Sequence, residues 1–269
     1  MTAVPCPGGR PFALLYSGTI CDMISCDFLA VLKRSRSETG GKKYEVEKIY
    51  AEEERKEIII YGKKMIQDSL TKGTGGNISI FVPDKNLMAI TPSGIDYLKL
   101  NPEDIVILDV ETGKVIEGER VPSSESDMHR IFYKYRKDLK AIVHTHSKYA
   151  SGLSCTGQGL PAVHYLLAVA GTEIPCAEYA TYGTVKLAKN AYEAMKGTKA
   201  ILLSNHGMLT GGKDLAEAYN IAENVEFCCE LYFISKVVGE PKILPKKEME
   251  DMIERFKEYG KRSEEHEEI

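Results

Sequence analysis

The chain has no run of 18 apolar residues, no CxxC pair, no excess of positive charge and neither of the common nucleotide-binding glycine motifs. Without a long apolar run, nothing is expected to span a bilayer. A net charge of −4 gives no electrostatic footing for nucleic acid or an anionic membrane. The seven cysteines, an odd count without paired spacing, read as free thiols in a reducing cytoplasm and not as a disulfide framework. None sits beside the histidines in a nucleophile pattern. The opening stretch MTAVPCPGGRPFALLYSG has a single arginine and no proper apolar core, so no secretory signal is expected and the location is expected to be cytoplasmic. What is present, 43% hydrophobic and 28% charged residues, is the composition of an ordinary globular protein.

Residues 1–45 differ in texture from the rest. They run from a Pro/Gly-rich start through FLAVL to the charged, glycine-containing KRSRSETGGKK, which reads as a flexible N-terminal extension ending in a linker. Residues 46–269 read as one catalytic domain. A charged amphipathic helix is expected over 44–70, with Val46, Ile49, Ile58, Ile59, Met65 and Ile66 supplying its apolar positions. NISIFV, NLMAIT and IVILDV then read as strands, and SSESDMHRIFYKYR as a helix capped by Ser123 or Ser124. AIVHTHS and AILLSN are further strands, separated by a helix over 184–196. DLAEAYNIAENVEFCCELYFISKVVG is a long helix closed at Gly239, and a charged terminal helix follows it. The hairpin-like early strands predict a mixed, largely antiparallel sheet within an α/β fold.

AIVHTHS places His144 and His146 one residue apart at the end of a β-branched run. Side chains two apart in a strand share a face, so the two imidazoles project together. Such a pair is either a polar strand end or half of a metal chelate. LLSNHG puts His206 just after another apolar strand, as a capping histidine or a third ligand. VPSSES sets two hydroxyls and Glu125 at a helix start. That is a plain N-cap or an anion site, and Glu125 can ligate a metal or act as a base. GTGGNIS lies between a helix and a strand, the reverse of both nucleotide motifs. It is a helix-stopping turn or, with Asn77, a cradle for a non-nucleotide phosphate, and ITPSGID adds a similar turn at Ser93 and Gly94. His129, four residues after Glu125, reads as structural support, while His164 and His266 have no partner that suggests ligation.

Taken in order, GTGGNIS, ITPSGI, PSSES, HTHS, IPCAEYATYG and NHG resemble the class II aldolase and adducin family, from about Tyr50 to Tyr259. LPAVHYLLAVAGTEIPCAEYATYGT and FKEYG are most similar to the members that cleave L-fuculose 1-phosphate. The resemblance implies a three-layer α/β/α fold around a mixed, largely antiparallel sheet. It also implies a homotetramer with one zinc ion per subunit near the subunit interfaces. The metal ligands fall on His144, His146, His206 and Glu125, and Glu125 doubles as the base. The substrate's phosphate pocket falls on Gly76, Asn77, Ser93, Gly94, Ser123 and Ser124, with serine at 93 where the fuculose-cleaving members have threonine. Tyr165 matches a proton donor reaching across the interface, and Tyr259 a mobile residue that closes on the substrate. The implied reaction is cleavage of L-fuculose 1-phosphate, or a related ketose 1-phosphate, to dihydroxyacetone phosphate and an aldehyde. The same scaffold serves an L-ribulose-5-phosphate 4-epimerase, a methylthioribulose-1-phosphate dehydratase and the non-enzymatic adducin head. The residues around Tyr165 favour the aldolase, and the full histidine and glutamate set argues against a binding-only role.

Overall fold

A computed structural model describes residues 50–258. In chain order the elements are α1 (Glu52–Gln67), β1 (Asn77–Val82), β2 (Leu87–Ile90), β3 (Val106–Asp109), β4 (Val115–Glu117), α2 (Ser126–Tyr135), β5 (Ala141–Thr145), α3 (Lys148–Ser154), β6 (Cys176–Ala177), α4 (Val185–Ala194), β7 (Ala200–Leu203), β8 (Gly207–Gly212), α5 (Leu215–Val238) and α6 (Lys246–Glu258). The eight strands form one sheet in the order β4-β3-β2-β1-β5-β8-β7-β6. Every pairing is antiparallel except β6 with β7.

The strand period of two divides the core into two layers. Ile78, Ile80, Ala89, Val143 and Leu202 pack with α1, α3, α5 and α6 on one face. Phe81, Met88, Ile90, Ile142, Ile201 and Leu209 pack with α2 and α4 on the other. This is the expected three-layer α/β/α arrangement, with both sheet faces covered by helices. No helix among the described residues is long and apolar enough to cross a membrane.

Several boundaries differ from those read in the sequence. α1 begins at Glu52, where Ala51 adopts a left-handed conformation that no helix can continue through; Val46 and Ile49 lie outside the described residues. Neither Ser123 nor Ser124 caps α2. Its N-cap is Glu125, and the Ser123 hydroxyl instead accepts from the Glu125 N–H at 3.3 Å. β8, GMLTGG, goes unseen in the sequence because three of its residues are glycine, yet the strand is buried throughout. Its glycines admit close neighbours: a Cβ would lie 2.4 Å from the Ala218 nitrogen of α5 at Gly212, 2.7 Å from the Leu139 side chain at Gly211 and 2.3 Å from the Thr145 carbonyl at Gly207. β4 is short and its two apolar residues are exposed, so it carries no burial pattern.

Candidate metal centre and phosphate pocket

His144 on β5 follows Ile142 in the alternation, and His146, one residue past the strand's end at Thr145, continues it, so both lie on the sheet face covered by α2. β1 pairs beside it with Asn77 opposite His144. On the other flank, the tight turn from β7 into β8 carries His206 on the same side. Asn205 takes a positive φ of 55° there, and the His206 N–H returns to the Leu203 carbonyl at 3.0 Å. Gly207 allows the close approach: a Cβ would lie 2.3 Å from the Thr145 carbonyl and 3.1 Å from the His146 ring. Glu125, at the start of α2, points back onto this face. The ring centroids of the three histidines are 4.8–5.1 Å apart. One ligand atom from each histidine and from Glu125 fall within 4.8 Å of one another.

Charge and hydrogen bonding fit this cluster to a cation. His144 Nδ1 donates to the Met208 carbonyl at 2.8 Å, which leaves Nε2 of the neutral ring with its lone pair toward the cluster. Glu125 Oε2 lies 3.2 Å from His144 Nε2, and Oε1 lies 3.4 Å from His206 Nε2. Oε2 accepts from Asn77 Nδ2 at 2.9 Å, whereas Oε1 is buried with no hydrogen-bond donor. A buried carboxylate oxygen is seldom left without a partner. With a lone pair from each of three imidazoles converging beside it, the donor set suits one divalent ion in tetrahedral N₃O coordination.

The ionisation states follow from the same geometry. Burial works to raise the Glu125 pKa, but His144, His206 and the Asn77 amide outweigh it and hold the carboxyl well below the usual carboxylate range. Burial works to lower the His144 pKa, yet the adjacent Glu125 carboxylate raises it. His146 is pushed down to about 4 by burial and by the neighbouring His144 and His206. His206 is likewise pushed down to about 4, by burial and by His144. Two rings are thus poised as neutral ligands, while His144 is the one held more readily protonated.

The cluster floors a cavity of about 390 Å³. Gly76, Asn77, Ser93, Gly94, Ser123 and Ser124, all anticipated from sequence, line this same cavity with Glu125, His146 and His206. Three loops distant in sequence meet there for backbone reasons. The Ser93 N–H donates to the Val121 carbonyl at 2.8 Å and the Ser123 N–H to the Thr91 carbonyl at 3.1 Å, so the ITPSG turn lies alongside VPSSE. Gly76 has φ +71°, and a Cβ there would lie 2.4 Å from the His144 carbonyl. Among the described residues, no lysine or arginine lines the cavity. Sequence reasoning missed Thr74, Gly75, Tyr179, Tyr182 and Asn205 at the wall and rim. Tyr179 and Tyr182 stand 58% and 68% exposed at the mouth, and no periodicity marks them. Tyr165 does not line the cavity of its own chain. It begins a short 3₁₀ turn and packs against His164 and Phe256. Tyr259 lies outside the described residues.

Residues 56–233 match the class II aldolase and adducin N-terminal domain family. The chain is 52% identical over 209 residues to a 5-deoxy-D-ribulose 1-phosphate aldolase of Bacillus thuringiensis serovar kurstaki, covering 78% of this chain and 98% of that one. It is 39% identical over 212 residues to the L-fuculose phosphate aldolase of Escherichia coli K12, covering 78% and 97%. A solved structure of an L-fuculose 1-phosphate aldolase superposes with a TM-score of 0.75 at 53% identity, covering 76% of this chain and 96% of that one.

Proposed function

The chain belongs to the class II aldolase and adducin family and is a metal-dependent aldolase. From that premise we propose that it cleaves L-fuculose 1-phosphate, or a related ketose 1-phosphate such as 5-deoxy-D-ribulose 1-phosphate, to dihydroxyacetone phosphate and a short aldehyde. L-Lactaldehyde is the partner product from the first substrate. The observation that carries this reading is the adjacency of two half-sites: a three-histidine and carboxylate cluster with one unsatisfied oxygen, and a glycine and hydroxyl pocket in the same cavity.

Residues 46–269 are the catalytic unit in this reading, acting in the cytoplasm. His144, His146, His206 and Glu125 hold one zinc ion. When bound, zinc supplies Lewis acidity that stabilises the negative charge left when the carbon–carbon bond β to a ketone breaks. Gly76, Asn77, Ser93, Gly94, Ser123 and Ser124 grip the phosphate with hydroxyls, an amide and main-chain N–H groups, and α2 turns its positive end toward the same pocket. Gripping one end of the substrate leaves its C3–C4 bond beside Glu125. In cleavage the C4 hydroxyl gives up its proton to a base, the C3–C4 bond breaks, and the electron pair passes to the enediolate. One proton, matching the one lost from O4, is taken up by Glu125 and passed to C3 to give dihydroxyacetone phosphate. The residue that exchanges a proton with the aldehyde oxygen is Tyr165 of a second copy in a homotetramer, since Tyr165 sits 45% exposed and outside its own chain's cavity. Tyr259 closes over the bound sugar.

A panel of ketose 1-phosphates, assayed for dihydroxyacetone phosphate with and without added zinc, tests the proposal. Release that disappears with a chelator and returns with zinc is expected. Full-rate cleavage by chelator-treated protein defeats the zinc reading, and recovery of an epimerised, uncleaved ketose phosphate defeats the cleavage reading.

A further inference from the structure

His129 takes no part in the chemistry above, yet it is wholly buried one helical turn beyond Glu125. Two rows of side chains meet around it. β1 turns Asn77, Ser79 and Phe81 toward α2, and the start of α2 turns Glu125, His129 and Tyr133 toward β1. Residues two apart in a strand advance about 6.6 Å and residues four apart in a helix about 6.0 Å, so the rows remain in step. Asn77 Nδ2 lies 2.9 Å from Glu125 Oε2, and His129 Nε2 lies 2.5 Å from Asn77 Oδ1. Ser79 Oγ lies 2.7 Å from His129 Nδ1 and 2.6 Å from the Tyr133 hydroxyl. Phe81 stacks on Tyr133 with ring centroids 5.2 Å apart.

The carboxylate end dictates the direction of each bond from Glu125 as far as Ser79. An ionised Glu125 only accepts, so Asn77 must turn its NH₂ to it and its Oδ1 to His129. Oδ1 needs a donor, so the His129 proton sits on Nε2. Nδ1 is then an acceptor, which takes the Ser79 hydroxyl proton, and the single Tyr133 hydroxyl proton is shared between Ser79 Oγ at 2.6 Å and the Ser79 carbonyl at 3.0 Å. We propose that His129 is a positioning residue: through its Nε2–H it locks the Asn77 amide, which ties down Glu125 Oε2 and leaves Oε1 as the oxygen aimed into the metal cradle. Without that lock Asn77 is free to flip and set its carbonyl against the carboxylate, two acceptors facing one another. The inference rests on reading Glu125 as ligand and base.

Two measurements without substrate, and one with it, test the assignment. In metal-free wild-type protein, nitrogen-15 shifts should place the His129 proton on Nε2. His129→Leu should weaken zinc affinity, measured by chelator competition at a temperature where the variant is folded, by about 10- to 100-fold. It should slow exchange of the C3 hydrogen of dihydroxyacetone phosphate with solvent deuterium to a similar extent. His129→Gln, whose amide nitrogen falls near the Nε2 position, should recover most of both losses. His129→Asn, whose shorter amide stands in only for Nδ1, should not. A proton on Nδ1, wild-type zinc affinity in folded His129→Leu, or a Gln variant no better than the Asn variant overturns the inference. If the Leu variant does not fold, the tautomer and the Gln-against-Asn comparison decide. Wild-type protein that binds zinc and shows this tautomer but cleaves no ketose phosphate defeats the substrate reading and leaves the positioning role standing. Wild-type protein that binds no zinc overturns the cradle and the inference together.

Discussion

The Nε2 atoms of His144, on β5, and of His146, one residue past its end, lie 3.0 Å apart, while the other nitrogen of His144 is committed to the Met208 carbonyl. A neutral His144 therefore turns a lone pair toward its neighbour, where it accepts from His146 Nε2 when that nitrogen carries the proton and shares a cation with it when it does not. In metal-free protein Glu125 raises the His144 pKa against the effect of burial, so of the three rings His144 is the readiest to take up a proton. His146 and His206 stay neutral down to about pH 4. Zinc binding is thus expected to expel up to one proton, the more so as pH falls below the raised His144 pKa. Calorimetry in buffers of different ionisation enthalpy reads that number, and affinity that is unchanged as pH falls through the His144 titration contradicts it.

Stability of the metal-free protein should fall in acid. His129, His146 and His206 have folded pKa values of about 3, 4 and 4, below the free value of 6.5. The unfolded chain binds the protons more tightly, so their contribution is complete above about pH 6.5 and is lost progressively as pH falls toward those folded values. His144 has the opposite sign: its contribution is present below pH 6.5 and is lost as pH rises through its raised value. Urea unfolding between pH 8 and pH 4 should show the three outweighing the one. A midpoint that stays flat or rises in acid is the contrary result.

Glu125→Ala should keep the secondary structure, because the residue precedes the regular turns of α2. It should still cost about 100-fold or more in turnover, the usual scale for a missing general base. Turnover near the wild-type level would remove Glu125 from the proton-transfer role.

Gly76→Ala combines a positive φ with a Cβ 2.4 Å from the His144 carbonyl. The left-handed conformation alone costs about 1–2 kcal/mol in an L-residue, and the clash adds to it by pushing β5 away from β1. Denaturant unfolding should register a loss above that range, with weaker metal binding because the displaced residue is one of the four proposed ligands. An Ala variant as stable as wild type would show that the loop relaxes freely.

Glu226 on α5 accepts from the Ser147 hydroxyl at 2.7 Å and from the Tyr149 and Ala150 N–H groups at 2.8 Å, so it clamps the start of α3 directly after His146. Hydrogen bonds to a charged acceptor are each worth about 1.5–3 kcal/mol. Glu226→Ala should therefore destabilise the protein by at least about 2 kcal/mol. Glu226→Gln, which keeps acceptor capacity, should cost less. Equal losses would point to packing and not to the clamp.

Much of this protein was determined by local sequence. Alternation in AIVHTHS aims His144 and His146 to one side, hydroxyls before Glu125 mark a loop entering a helix, and the apolar runs of β1, β2, β3 and β7 announce a sheet. These are short-range consequences of backbone period and residue type. β8 was illegible because close approach by α5 at Gly212, by Leu139 at Gly211 and by Thr145 at Gly207 selects glycine there, erasing the hydrophobic pattern a strand ordinarily displays. Tyr179 and Tyr182 were illegible as rim residues because an exposed aromatic in a loop carries no period.

The site itself was decided by tertiary structure. Whether HTH is a polar strand end or part of a metal cradle depends on His206, some 60 residues away, being folded beside it by the pairing of β5 with β8. It depends as well on Glu125 being carried over the sheet by α2, with one oxygen left unsatisfied. Sequence determines which faces side chains occupy, because that is set by dihedral angles within a few residues. Convergence of four ligand atoms within 4.8 Å is set by strand order, and strand order is a property of the packed sheet as a whole.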